Sequence, residues 1–180
     1  SDDAVAGGRA VTVLTYLHGL KECQSVLPEI QAQDWLDTHL LSQPAPSRLG
    51  PAVAEGLDID LIELRSLKPL DMETIRDSLA RTHKALSLAR ARPLSEPSPR
   101  SLLGPVPQVA ILDESTNSGG VGATVSALIH EQCFDLLDAP VKRLCMDDAP
   151  VPYASSMEVA VVKRGSDVVK AVFDFMLKKI

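Results

Sequence analysis

Aromatic side chains are scarce in this chain, with three Phe, two Tyr and one Trp among 180 residues. Nucleic-acid surfaces rely on a basic stripe and often on aromatic stacking platforms, and a formal net charge of −6 supplies neither. The composition points to protein partners and no nucleic acid. Long apolar runs are missing as well. No stretch approaches the roughly 18 to 20 apolar residues of a membrane span, so no membrane role is expected. The opening Ser1-Asp2-Asp3 has the features of neither a signal peptide nor a transit peptide, and without an initiator Met the chain is expected to be an excised piece of something longer. Cysteine is limited to Cys23, Cys133 and Cys145, an odd number with no C-x-x-C pair, each among apolar neighbours. They read as buried free thiols in a reducing compartment.

What is present is enough apolar material for one full core: 45% of the residues are hydrophobic, and one domain spanning 1–180 is expected. Residues 10–16 form a short β-branched run that favours a buried strand. Leu17, Leu20, Cys23, Val26, Leu27 and Ile30 then recur at helical spacing, with Pro28 expected to end or kink the helix near Leu27. The pattern resumes at Trp35, Leu36, His39 and Leu40, before Pro44, Pro46, Gly50 and Pro51 mark an exposed loop. Residues 58–64 predict a second strand, followed by a helix with Asp71 as N-cap, Glu73 in its first turn and closure at 82–85. Two inserted loops are expected, about 28–53 and about 86–107. The second carries Pro93, Pro97, Pro99, Pro105 and Pro107, and it cannot bury enough apolar surface to offset its ordering entropy, so disorder is expected there.

Val109-Ala110-Ile111-Leu112 predicts a third strand delivering Asp113 and Glu114, and the glycine cluster Gly119-Gly120-Val121-Gly122 turns the chain into the clearest helix, with Val121, Val125, Leu128, Ile129, Cys133 and Leu136 on one face. Ala139-Pro140 stops it, 141–146 reads as a fourth strand, and Ser166 or Asp167 caps a last helix. Strands alternating with helices imply an α/β fold with a parallel sheet covered on both sides.

Each candidate site competes with a plainer reading. The glycine cluster follows a strand and precedes a helix, as phosphate-binding loops do, yet Val125 stands where a third glycine is needed and no Lys-Ser/Thr completes a P-loop. The glycines instead permit positive φ and close approach of helix to sheet. Asp113 and Glu114 point to opposite faces of a strand and cannot share one acid–base site; Glu114 is expected to accept hydrogen bonds from loop amides or a partner subunit. His130 and Cys133 have a metal-compatible i, i+3 spacing but no second pair. Ser115 and Ser118 lack the G-x-S-x-G elbow of a hydrolase. Asp135 and Asp138 close the long helix, where carboxylates oppose the dipole; an outside cationic partner and simple surface tolerance both explain them.

Leu64-Arg65-Ser66-Leu67-Lys68-Pro69-Leu70-Asp71, Thr74-Ile75, Asp113 through Ala123, Leu137-Asp138-Ala139-Pro140-Val141-Lys142-Arg143 and Pro150-Val151-Pro152-Tyr153-Ala154 stand in a fixed order. Together these blocks resemble the C-terminal, transketolase C-terminal-like domain of pyruvate dehydrogenase beta subunits, most like the plastid type. The resemblance implies a three-layer α/β/α domain with a mixed, mostly parallel five-stranded sheet, one strand being antiparallel. It also implies a parent that decarboxylates pyruvate on thiamine diphosphate and Mg²⁺ and acetylates a lipoyl arm, located in an organelle lumen, plastid stroma before mitochondrial matrix. Its partners would be an alpha subunit, a second beta subunit and a dihydrolipoyl acyltransferase. The family's cofactor-activating carboxylate and catalytic His belong to another domain, so catalytic, cofactor and metal residues are expected to be none here, and the fragment alone is expected to be inactive. The acidic residue before Ala-Pro and the chain terminus carry acyltransferase docking over to Asp138, with Asp135 beside it, and Ile180. A branched-chain 2-oxo-acid dehydrogenase beta subunit, a transketolase or deoxyxylulose-phosphate synthase tail, and a stand-alone interaction domain are the alternatives.

Overall fold

The computed structural model describes residues 10–31, 58–90, 109–137 and 139–176. In chain order the elements are β1 (Ala10–Thr15), α1 (His18–Gln31), β2 (Asp58–Glu63), α2 (Met72–Arg90), β3 (Val109–Thr116), α3 (Val121–Cys133), a single 3₁₀ turn (Phe134–Leu136), β4 (Lys142–Met146), α4 (Ser155–Val161) and α5 (Gly165–Met176). The strands form one sheet in the order β2-β1-β3-β4, every neighbouring pair parallel. This is the expected α/β architecture; the fifth, antiparallel strand that the resemblance implies is not among the described residues.

Alternation along the two central strands decides the layers. Leu14, Val109 and Ile111 face one side, where Ile75 and Leu79 of α2 and Val125, Ile129 and Cys133 of α3 close over them. The intervening Val11, Val13, Ala110 and Leu112 are equally buried and face the opposite side, against α1 and α5. Three layers follow. A polar chain crosses the first interface: buried Thr12 and Ser78 share a hydrogen bond at 2.8 Å, and Ser78 donates to Asp60, which also holds Arg81. Satisfying both buried hydroxyls within the chain removes the desolvation penalty they would otherwise carry.

Helix starts follow side-chain chemistry. Asp71 caps α2, accepting from Thr74 N–H at 3.1 Å and from the Thr74 hydroxyl at 2.7 Å, and these bonds hold its carboxyl below the usual range. At α5 the carboxylate of Asp167 reaches back to the Arg164 N–H at 2.8 Å, so the cap comes from inside the first turn rather than from a residue ahead of it.

Three expectations need correction. Pro28 lies inside α1, which runs on to Gln31. A proline this near the C-terminal end removes only the bond to the Gln24 carbonyl, and its ring is exposed. α2 does not close at 82–85 but continues to Arg90, because residues 85–90 are good helix formers and Pro93 is the first breaker. Residues 28–31 and 86–90 of the expected inserted loops are therefore helical; the remainder of both loops, the pattern at Trp35–Leu40 and the expected disorder beyond Arg90 lie outside the described residues. Finally, α4 was not foreseen: no apolar periodicity marks it, and none of its residues is buried.

The two helices on the second face are drawn together at Gly165, where a Cβ would sit 2.3 Å from the Glu22 carbonyl oxygen and 3.1 Å from Val26 Cγ1. Because the first obstacle is backbone, Gly165→Ala is expected to force α1 and α5 apart and cost about 1–3 kcal/mol. Thermal denaturation checks this, and an unchanged midpoint would mean that the helices are not in van der Waals contact there.

Candidate functional site

Strand order reverses between β1 and β3, and in open α/β sheets ligands bind outside the carboxyl ends of the strands at such a switch point. In this chain the crevice is filled from within. Asp113, 1% exposed near the end of β3, receives the hydroxyl of Tyr16, the residue just after β1, the Ser115 N–H at 2.8 Å, the Ser115 hydroxyl and the Gly122 N–H. Ser115 Oγ in turn accepts the Val121 N–H at 3.2 Å. Free amides at the start of α3 would attract an anion, and the chain's own carboxylate and hydroxyl take that place.

The glycines serve this arrangement. Gly119 has φ +72°, a backbone that L side chains resist. A Cβ at Gly122 would lie 2.8 Å from Asp113 Oδ2 and 3.2 Å from Cys145 Sγ, so a side chain there would push α3 off the strand. Burial alone would raise the Asp113 pKa, but the hydrogen bonds from Ser115, Tyr16 and the Gly122 amide outweigh it and hold the carboxyl below its ordinary value. Burial pushes the Tyr16 hydroxyl up, with Asp113 adding to it.

Asp113 and Glu114 point to opposite faces, as the pleat requires. The expectation that Glu114 takes the loop amides is corrected, however: Asp113 takes them, and Glu114 Oε1 lies 3.0 Å from His18 Nδ1 on the other face. Between Tyr16 and His18, Leu17 adopts φ +50° while 76% exposed. A non-glycine residue in this left-handed region costs roughly 1–2 kcal/mol.

The remaining candidates are dispersed. Asp135 does not close the helix but sits in the 3₁₀ turn after it, 3.4 Å from the Arg76 guanidinium, which also donates to the Gln132 carbonyl at 2.6 Å. A cation of the same chain thus meets the α3 C-terminus. Asp138 and Ile180 lie outside the described residues. His130 turns Nδ1 to the Ser126 carbonyl at 2.7 Å on the exposed side of α3, whereas Cys133 is buried; the i, i+3 pair does not converge. All three cysteines are buried free thiols, and burial, followed by the Glu22 charge, pushes Cys23 up to about 11. Ser118 is bound by its N–H and hydroxyl to Asp148, at 2.7 and 2.6 Å.

Thiamine diphosphate with Mg²⁺ does not fit these residues. The amides at the start of α3 are taken. A pocket of about 460 Å³ beside the glycine loop has Lys142, Arg143 and Lys163 in its wall, but Asp147 and Asp148 stand among them and oppose a diphosphate. No three His, Cys, Asp or Glu side chains converge on a metal position among the described residues.

Residues 86–167, containing the whole strand–glycine loop–helix unit, match the family model described as transketolase, C-terminal domain. That stretch of the chain is similar to the transketolase C-terminal domain family. Its relatives include the mitochondrial pyruvate dehydrogenase E1 component subunit beta of Dictyostelium discoideum, 34% identical over 117 residues that cover 65% of this chain and 26% of that one. The chloroplastic subunit beta-2 of Arabidopsis thaliana is 35% identical over 120 residues, 67% of this chain and 24% of its own. The subunit beta of Chaetosphaeridium globosum is 35% identical over 120 residues, covering 67% and 29%. The chain spans about a quarter of the length of these relatives. At this junction, sequence reasoning missed Tyr16 as the partner of Asp113. The available signal was an aspartate ending the apolar run Val109–Leu112, a residue that must find donors if it is buried.

Asp113→Asn would set an amide NH₂ against the Gly122 or Ser115 donors and leave a buried donor unsatisfied, costing about 1–3 kcal/mol. A depressed folded-state pKa stabilises the fold above the unfolded carboxylate value of about 3.9, and that contribution is lost as pH falls through the lower folded-state pKa. Wild-type stability should therefore decline as pH drops below about 4, and the decline should be shallower in Asp113→Asn. Parallel pH profiles of the two proteins by chemical denaturation would contradict this role.

Proposed function

We propose that this chain is the C-terminal domain of a pyruvate dehydrogenase beta subunit, a structural and docking module of an oxidoreductase. The observation that carries the reading is the self-filled strand–glycine loop–helix junction, whose β3, loop and α3 lie inside the region matched to the family, in a chain about a third identical to beta subunits over 117 and 120 residues. The parent would decarboxylate pyruvate and acetylate lipoyl groups, with thiamine diphosphate and Mg²⁺ held by residues outside this chain. Thiamine diphosphate, when bound there, supplies the stabilised carbanion chemistry of decarboxylation. This chain's residues would brace the domain that holds it and associate with an alpha subunit and a second beta subunit. Asp138, with Asp135 and Ile180, would dock the basic domain of a dihydrolipoyl acyltransferase. Chloroplastic and mitochondrial relatives both support an organelle, and the plastid stroma is the location proposed.

A fusion provides the test. Placed behind the cofactor-binding part of a plastid pyruvate dehydrogenase beta subunit, in place of that subunit's own C-terminal domain, this chain should restore assembly with the alpha subunit and decarboxylation of pyruvate. Asp138→Lys in the fusion should weaken acyltransferase binding by on the order of 2–5 kcal/mol, while decarboxylation is kept. A folded fusion that never pairs with alpha would refute the beta-subunit reading, and unchanged acyltransferase affinity at low ionic strength would remove Asp138 from the docking site.

A further inference from the structure

β4 is the last strand of the sheet, and the cavity of about 460 Å³ lies against it, walled by the loop after β3 and the connection after β4. Residues 142–145 all line it, although successive strand residues point to opposite faces. The cavity therefore runs along the outer edge of the strand, where main-chain N–H and C=O groups point outward.

The walls are fixed before any ligand arrives. Asn117 N–H donates to the Met146 carbonyl at 2.9 Å, and Arg143 Nη1 donates to the Asn117 carbonyl at 2.8 Å, so loop and strand are tied in both directions. Ser118 binds Asp148 through its N–H and its hydroxyl, and Lys163 holds Asp147 Oδ1 at 3.2 Å. A preformed site spares its ligand the cost of ordering the protein.

Charge narrows the ligand. Lys142, Arg143 and Lys163 stand with Asp147 and Asp148, three cations against two carboxylates, which leaves a single positive excess. The Ser118 hydroxyl and N–H hold the Asp148 carboxyl below its usual range, so it stays ionised at neutral pH. A multiply charged anion is repelled by the two carboxylates, and a neutral molecule leaves the positive excess unanswered. One negative charge fits.

The donors and acceptors narrow it further. Bonding through Nη1 orients the Arg143 guanidinium, while Nε and Nη2, its side-on fork, make no bond among the described residues. That fork matches the two oxygens of a carboxylate. Asp147 Oδ2 and the Asn117 side-chain amide make no bond there either, and both suit hydroxyl groups. Small-molecule sites of about 300–1,000 Å³ are mostly apolar. Walls as polar as these call for a ligand with polar groups along its length.

We propose that the cavity at the outer edge of β4 binds a polyhydroxylated monocarboxylate, a sugar acid, with its carboxylate on the Arg143 fork and its hydroxyls on Asp147, Asn117 and the strand edge. The site is separate from the Asp113 junction, and it stands or falls independently of the beta-subunit reading.

Calorimetric titration of the 180-residue chain with D-gluconate tests it. Saturable binding is expected at a Kd of about 1 mM or below, which a ligand of this size reaches at ordinary efficiency. D-glucose, without the carboxylate, and citrate, with three, should each bind at least about tenfold more weakly. Arg143→Lys keeps the charge and removes the fork, and should weaken gluconate by about tenfold in a chain shown by thermal denaturation to be folded. Asp147→Asn changes an exposed side chain and provides a second arm: it should weaken gluconate while strengthening citrate, a gain that damage to the fold would not produce. Absence of saturable heat with gluconate up to about 20 mM would overturn the proposal. So would glucose binding as tightly as gluconate, or a gluconate affinity unchanged in both variants.

Discussion

A carboxylate at the inner end of a central strand keeps its charge only if donors surround it, and much of this domain's local structure answers that requirement around Asp113. Tyr16 reaches it from just beyond β1, Ser115 from its own strand and Gly122 from α3. One side chain thus joins both strands at the switch point to the helix that covers them. The close approach of α3 follows, because a Cβ at Gly122 would collide with the Asp113 carboxylate. The crevice that accepts ligands in other open α/β sheets is consequently closed by the chain itself.

Much of this was legible in the residues, and the reasons are specific. The four strands were visible because each carries a short apolar or β-branched core, and α3 because its apolar spacing runs unbroken from Val121 to Cys133. The glycine loop departs from a phosphate fingerprint at Val125 and lacks a following lysine. What stayed hidden was tertiary. Nothing near Asp113 in the sequence names Tyr16, 97 residues away, as its partner; nothing near Asp135 names Arg76. α4 had no signal because amphipathic periodicity reports burial, and α4 has none. Pro28 was read too strictly, since a proline near a helix's last turn removes one bond without ending the helix.

Parallel strands give the domain two chemically different ends. At the amino end α3 finishes in a turn where Arg76 binds both the Gln132 carbonyl and Asp135, a cation meeting the negative end of the helix dipole. The carboxyl end carries the left-handed Leu17, the exposed apolar run after β4, and Glu63, Glu114 and Asp147 beside Arg65, His18 and Lys163. The two ends therefore differ in kind, a charged pairing at the first and exposed apolar side chains at the second.

The Asp113 anchor is tested most directly by amide hydrogen exchange at Gly122. An N–H at the start of a helix has no partner within that helix and exchanges quickly unless something outside it accepts the bond. If Asp113 holds it, Gly122 should exchange only through global unfolding, as slowly as core amides such as those of Ile111 and Ile129, and should lose that protection in Asp113→Ala at conditions where the core amides keep theirs. Rapid exchange of Gly122 in the wild-type protein, at the rate of an open loop, would contradict the account.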